Sequence, residues 1–280
     1  MIKSYCKINL FLKVLKKLKK TGLHNIQSNT ALLALHDEIT IEYSMKKEDE
    51  IKFYGKFSRH VSKNKNTVVD TMKILRDQKL ISDFKRYKIT INKKIPVFAG
   101  LGGGTSNAFF LTKYFLGNKI KKSLLPIFEE KIGSDFRLFF YKNSYQESLK
   151  NIKEFKKKYK LYFIIVYPYI KCSTKSIYSN VTHFKSPLKE GLSKIKTLEK
   201  YVQFLKNESN NLQEIVEKKF KKTIKILELI SSLKNCHFSR VTGSGSVCYG
   251  IFTSKSAAML GQKMVQKKFR NYWCVVTKTI

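Results

Sequence analysis

Residues 96–108 read PVFAGLGGGTSNA, and four of the five positions from 100 to 104 are glycine. The chain of 280 residues holds only 13 glycines, so the concentration is a local demand on the backbone. Glycine accepts left-handed turns and lets another group approach the main chain closely. Upstream, Tyr87, Ile89 and Ile91 alternate with polar residues and predict a strand. Downstream, Thr105-Ser106 opens a helical pattern over 105–117 that closes at Gly117. A helix N-terminus after a bare loop offers unpaired N–H groups and a partial positive charge, which suits a phosphate. A tight turn without a ligand would read the same way.

Familiar phosphate loops do not account for it. No Gly-Lys-Ser/Thr occurs anywhere, and GxGxxG started at Gly100 meets Thr105 where its last glycine belongs. The HRD and DFG sequences that protein kinases require are absent.

Along the rest of the chain, Ile8, Leu10, Leu12 and Val14 alternate with Lys7, Asn9, Phe11 and Lys13, predicting a strand with one apolar face. LKKLKK (15–20) reads as the polar end of a hairpin arm and TGLHN (21–25) as the turn that follows. Residues 39–43 predict a strand, and 66–80 a helix with Asn66 as N-cap and Val69, Met72, Leu75 and Leu80 along one side. A second helix is expected at 121–131, and the charged stretch 150–160 marks a domain boundary. Beyond it come a buried-type strand (161–168), successive helices (187–234), two strands about a Gly-Ser turn (238–252), a helix (254–268) and a strand (272–277). Strands alternate with helices in both halves, which is an α+β or α/β protein of two lobes.

A formal net charge of +36 invites a nucleic-acid reading, but the lysines are spread over nearly every segment. Solvated lysine faces explain them better, with a diffuse field that favours anionic substrates. Five scattered cysteines with no CxxC pair indicate neither a zinc site nor a disulfide framework. No apolar run reaches membrane-span length, and the N-terminus lacks the pattern of a signal peptide, so a cytoplasmic protein is expected.

Five motifs then follow in order: KINLFLKV (7–14), GLHNIQS (22–28), KKIPVFAGLGGGTSNA (93–108), GSDFRLFF (133–140) and TGSGSVCYGIF (242–252). Their order and spacing resemble the GHMP kinases, small-molecule kinases named for galactose, homoserine, mevalonate and phosphomevalonate. Within that family KINL and GLHNIQS look most like the branch acting on a cytidine-diphosphate-linked methylerythritol in the non-mevalonate route to isoprenoids. The resemblance spans about residues 3–277. It implies a two-lobed α+β fold, with an ATP-binding domain over 1–155 built like ribosomal protein S5. A ferredoxin-like α/β domain over 156–280 would complete the substrate site.

The resemblance also implies roles. ATP would be cradled by Gly100, Gly102, Gly103, Gly104, Thr105 and Ser106, beside Pro96, with Asn66 and Lys93 near the adenine. By residue type alone Asn66 is an N-cap and Lys93 a solvated lysine. Asp135 and Lys7 match the catalytic pair, a carboxylate that orients or deprotonates the acceptor hydroxyl and an ammonium that offsets charge. By type alone they are a turn cap and one surface lysine among many. Asn9, His24, Thr174 and Tyr178 match substrate positions, Tyr178 as a platform for the base. Magnesium would accompany ATP; no residue is assigned to it, and monomer and homodimer stay open. Departures are Leu23, where relatives often carry an aromatic, Arg137 in place of proline, the glycine-poor stretch 142–150, and Asn211. Arg137 puts a flexible cation two residues from Asp135, free to pair with it.

Overall fold

The computed structural model describes residues 1–19, 21–117, 119–157, 159–188 and 192–280, so Lys20, Lys158 and 189–191 within the ranges read above lie outside the described residues. Packing divides the chain into two compact units. The first holds Met1–Cys6, Leu35–Val97 and Gly102–Phe140, the second Lys7–Ala34, Phe98–Leu101 and Tyr141–Ile280. Two long strands, β1 (Ile2–Lys17) and β2 (His24–Ser44), contribute residues to both.

In the first unit follow β3 (Glu50–Tyr54), α1 (Thr67–Asp77), β4 (Arg86–Asn92), α2 (Gly103–Leu116) and α3 (Leu125–Lys131). β4 is the centre: it pairs antiparallel with β2 from Glu38↔Asn92 to Ser44↔Arg86, and parallel with β3. Its alternation buries Ile89 and Ile91 completely, next to Ile39 of β2. α1 begins where the sequence places it, because the Asn66 side chain accepts the Val68 and Val69 N–H groups, each at 3.0 Å. It buries Val68, Met72, Ile74 and Leu75. α2 starts two residues before Thr105, at Gly103, with Gly102 left-handed at φ +66° and no side-chain cap. A 3-10 stretch at Ser134–Phe140 is anchored by Phe136, whose ring stacks on Phe128 at 4.6 Å and meets Phe109 edge-on.

In the second unit come β5 (Asn143–Gln146), β6 (Ile152–Glu154), β7 (Tyr162–Tyr167), α4 (Thr174–Tyr178), α5 (Leu198–Asn207), α6 (Gln213–Lys219) and α7 (Lys222–Ser231). Then β8 (Phe238–Val241), β9 (Cys248–Phe252), α8 (Lys255–Lys268) and β10 (Trp273–Lys278) close the chain. β7 to β10 form an antiparallel sheet in the order β10-β7-β9-β8. Its apolar face packs with α7 and α8 through Ile164, Val166, Ile226, Ile230, Ala258 and Val265. The first part of β2 pairs with β5 from Ser28↔Gln146 to Ala31↔Asn143, and β5 with β6. Asn143–Glu154 is therefore partly strand, in a region whose composition signals none.

The alternation in β1 is present, but its polar face is not solvated. Lys7 is 4% exposed, Asn9 3% and Phe11 0%, because both sides of the strand are covered. No disulfide joins any two of the five cysteines. No helix among the described residues is long and apolar enough to cross a membrane.

Candidate active site

Burial removes the surface reading of Lys7. A buried ammonium must find acceptors, and Lys7 Nζ donates to Asn9 Oδ1 at 2.7 Å. Asn9 in turn donates through Nδ2 to Ser28 Oγ (3.0 Å) and Thr30 Oγ1 (3.2 Å), while its backbone N–H reaches Thr242 Oγ1 at 3.0 Å. Tyr249 clamps the same strand by donating to the Asn9 carbonyl at 3.0 Å, and burial raises its phenol to about 12. Spacing of two in a strand puts the Lys7 and Asn9 side chains on one face, as expected.

The turn at 242–246 lies against this pair. A Cβ on Gly243 would stand 3.1 Å from Asn9 Oδ1 and 3.6 Å from Lys7 Nζ. Gly100 meets the turn too: a Cβ there would be 2.4 Å from the Thr242 carbonyl oxygen, at a φ of +81°. Asn210 holds the turn by donating to the Val241 and Gly243 carbonyls, each at 2.8 Å. Thr174 joins it through Ser244 Oγ at 3.0 Å. In this unit, then, Lys7, Asn9, Gly100 and Thr174 converge around TGSGS. Gly243 and Asn210 belong to the cluster although neither was given a role from the sequence; Gly243 stands in the TGSGSVCYGIF motif, and Asn210 adjoins the departure at Asn211.

In the first unit the loop residues 102–106 form the first turn of α2. Gly104 is exposed, Gly102 and Thr105 half-buried, and Gly103 and Ser106 buried. The glycines have reasons internal to the protein. A Cβ on Gly103 would press on Ile95 at 2.9 Å, and one on Gly104 would meet Thr67 Oγ1 at 3.2 Å. Ser106 turns inward, its hydroxyl donating to the Tyr5 carbonyl at 2.6 Å. Asn66 is the N-cap of α1, and its neighbour Thr67 donates to the Gly104 carbonyl at 2.8 Å. Pro96 is buried. Lys93 is 2% exposed, and its ammonium is spent on Asp37 and Asn107, so the solvated reading fails. Asp135 is half-buried at the start of the 3-10 stretch. Arg137 gives its guanidinium to Glu129 in a two-point ion pair.

His24 opens β2 with its ring 5.2 Å from that of Tyr178 and 6.3 Å from that of Phe184. Burial, and secondarily the Lys17 charge, lowers its pKa from 6.5, which keeps the imidazole neutral near neutral pH. Phe184 supplies an aromatic neighbour although Leu23 does not; a lone phenylalanine in a polar stretch gave no signal of this. Among the described residues no three His, Cys, Asp or Glu side chains gather as a metal cage.

The fold is that of small-molecule kinases of the GHMP group. The structure superposes on a mevalonate kinase with a TM-score of 0.69 at 16% identity, over 99% of this chain and 98% of that one. A crystal structure of 4-(cytidine 5'-diphospho)-2C-methyl-D-erythritol kinase superposes at 0.76 with 19% identity, over 99% and 98% of the two chains. Residues 188–271 match the model of the family described as GHMP kinases C terminal. In sequence, a 4-diphosphocytidyl-2-C-methyl-D-erythritol kinase of Pelagibacter ubique is 40% identical over 284 positions, covering 100% of this chain and 98% of that one. One of Buchnera aphidicola subsp. Schizaphis graminum is 34% identical over 267 positions, covering 91% and 85%. The chain belongs to the 4-diphosphocytidyl-2-C-methyl-D-erythritol kinase family.

Proposed function

We propose that the protein transfers the γ-phosphoryl group of ATP to the 2-hydroxyl of 4-diphosphocytidyl-2-C-methyl-D-erythritol, a step of non-mevalonate isoprenoid precursor synthesis. The observation that carries this reading is the 40% identity to a kinase of that name across the whole chain. Phosphoryl transfer needs two reactants held in line and charge offset on the moving group. The uncapped first turn of α2 serves the triphosphate through the N–H groups of Gly103, Gly104 and Thr105, with Gly100, Gly102 and Ser106 shaping the loop. Pro96, Asn66 and the main chain at Lys93 border the adenine. Magnesium enters as part of the nucleotide substrate, bound to phosphate oxygens.

Asp135 orients the acceptor hydroxyl and takes its proton, and the Lys7 ammonium offsets charge gathering on the phosphoryl oxygens. Asn9 fixes the direction of that ammonium through the 2.7 Å hydrogen bond. Neutral His24, near the rings of Tyr178 and Phe184, receives the cytosine, and Thr174 the chain beyond it. The ATP-binding half is 1–155, and 156–280 completes the acceptor site. The reaction is cytoplasmic and needs no nucleic acid or membrane partner.

A coupled ADP-release assay tests this: release is expected only with the cytidyl substrate, against a substrate-free control. Mevalonate and homoserine kinases share the fold at TM-scores of 0.69 and 0.66, so both of those acceptors belong in the panel. Turnover with either one, and none with the cytidyl compound, would overturn the assignment.

A further inference from the structure

Directly behind the first turn of α2 lies a buried ionic network that the proposed chemistry leaves unused. Asp37, at 0% exposure, sits on the apolar face of β2, in phase with Ile39 and Ile41. Its carboxylate is filled by four donors. Oδ1 accepts the Lys94 and Ile95 N–H groups at 2.7 and 2.8 Å; Oδ2 accepts the Lys93 ammonium, and Asn107 Nδ2 at 3.0 Å. Lys93 also donates to Asn107 Oδ1 at 2.9 Å. From Asn107 the chain runs on to Ser4 Oγ at 2.9 Å, then to Ser106 Oγ at 2.7 Å, which ends it on the Tyr5 carbonyl. No polar side-chain atom along it is left without a partner.

The network joins β1, β2, the segment 93–95 and α2 within one unit. It reaches α2 at its fourth and fifth residues, Ser106 and Asn107, in a helix whose start at Gly102 has no side-chain cap. A Cβ on Gly103 would stand 3.6 Å from the Lys93 nitrogen, so the ion pair backs the turn itself. A buried ion pair is a poor source of stability, since desolvation offsets most of its attraction. What it provides is direction, because each donor has one acceptor and the bonded set has one arrangement.

We propose that Asp37, Lys93, Asn107 and Ser4 are positioning residues for the nucleotide, a brace that fixes the first turn of α2 at the place and angle the triphosphate requires. The Lys93 side chain thus acts from behind the loop. This inference rests on the reading of that turn as the ATP cradle.

The test uses the full chain with Asp37→Asn, Lys93→Met, the double variant, and Ser4→Ala, which removes one link and no charge. For each, KM for ATP, KM for the cytidyl substrate, kcat and the melting temperature are measured. In the single charge variants the KM for ATP is expected to rise about tenfold or more, within the roughly 100-fold that a displacement of about 1 Å can cost, with the KM for the cytidyl substrate unchanged. The double variant, with no unpaired buried charge, is expected to recover its melting temperature and to keep the raised KM for ATP. Ser4→Ala is expected to raise the KM for ATP about threefold with melting unchanged, and decides the matter if the charge variants do not fold. An unaltered KM for ATP in folded variants, a recovery of that KM together with melting in the double variant, or both KM values moving together overturns the brace alone. A wild-type protein that neither binds nor turns over ATP overturns the cradle and the brace together.

Discussion

At the scale of single residues, function turns on which charges are permitted. His24 is held neutral by burial, with its pKa below 6.5. If neutral imidazole receives the cytosine, the KM for the cytidyl substrate is expected to rise as pH falls below 6.5 through the lowered value, while the KM for ATP stays flat. His24→Gln is expected to remove that pH dependence; a profile identical in the variant would discard the role. Stability carries the same sign. The unfolded chain takes up the proton first, so the His24 contribution is complete above 6.5 and declines on acidification. Asp135 offers a second check. Asp135→Asn keeps the shape and loses the base, so kcat is expected to fall about 100- to 10,000-fold with little change in either KM, read by ADP release. The residues themselves were unevenly legible. Lys7 and Asp135 stand in recognisable motifs, but nothing in KINL says that Lys7 is buried, because burial comes from what covers the second face of β1. Asp37 left a trace, a carboxylate in phase with the apolar residues of its strand, and only the fold shows that Lys93 answers it.

At the scale of elements, the glycine loop can be taken apart by position. Gly104 is exposed and helical, and a Cβ there meets one hydroxyl, Thr67 Oγ1, at 3.2 Å. Gly104→Ala is expected to change stability by no more than about 1 kcal/mol, since helix propensity favours alanine, and, if this turn cradles the triphosphate as proposed, to raise the KM for ATP. Gly103→Ala should differ in kind: its methyl presses on the Ile95 side chain at 2.9 Å, and overpacking of that sort costs about 1–3 kcal/mol. Urea denaturation and ATP kinetics on the two variants separate these effects; a Gly104→Ala enzyme with unchanged KM for ATP would remove the turn from the nucleotide site. Periodic elements with conventional ends were readable in advance. α1 starts after its Asn66 cap, β4 alternates, and α2 closes at Gly117. β5 and β6 were not, because short polar strands owe their existence to pairing with β2 and with each other, and the 24–44 strand is far longer than its alternating core. The glycines drew attention as room for a ligand, yet at Gly100 and Gly103 the crowding is with the protein itself.

At the scale of the molecule, charge decides how the protein responds to salt. With 56 Lys and Arg against 20 Asp and Glu, complete pairing of every carboxylate still leaves the formal excess of +36. Existing pairs show the local consequence: hydrogen bonds from Lys46 and Lys52 pull Glu50 down to about 2. Salt weakens such attractions and the repulsions alike, but the two differ in reach. Pairs such as Lys13–Glu208 at 3.1 Å lie well inside any Debye length. Repulsions among spread lysines act over longer distances, where a screening length shrinking from about 30 Å at 0.01 M to about 8 Å at 0.15 M removes most of them. Self-repulsion of a strongly charged chain opposes the compact state, so added salt relieves more than it costs. The melting temperature is therefore expected to rise between about 0.02 M and about 0.3 M KCl, measured by calorimetry at one pH. A fall over that range would mean that short ion pairs outweigh the spread charge. The same field draws ATP and the diphosphate-bearing acceptor, so both KM values are expected to rise with salt while kcat holds.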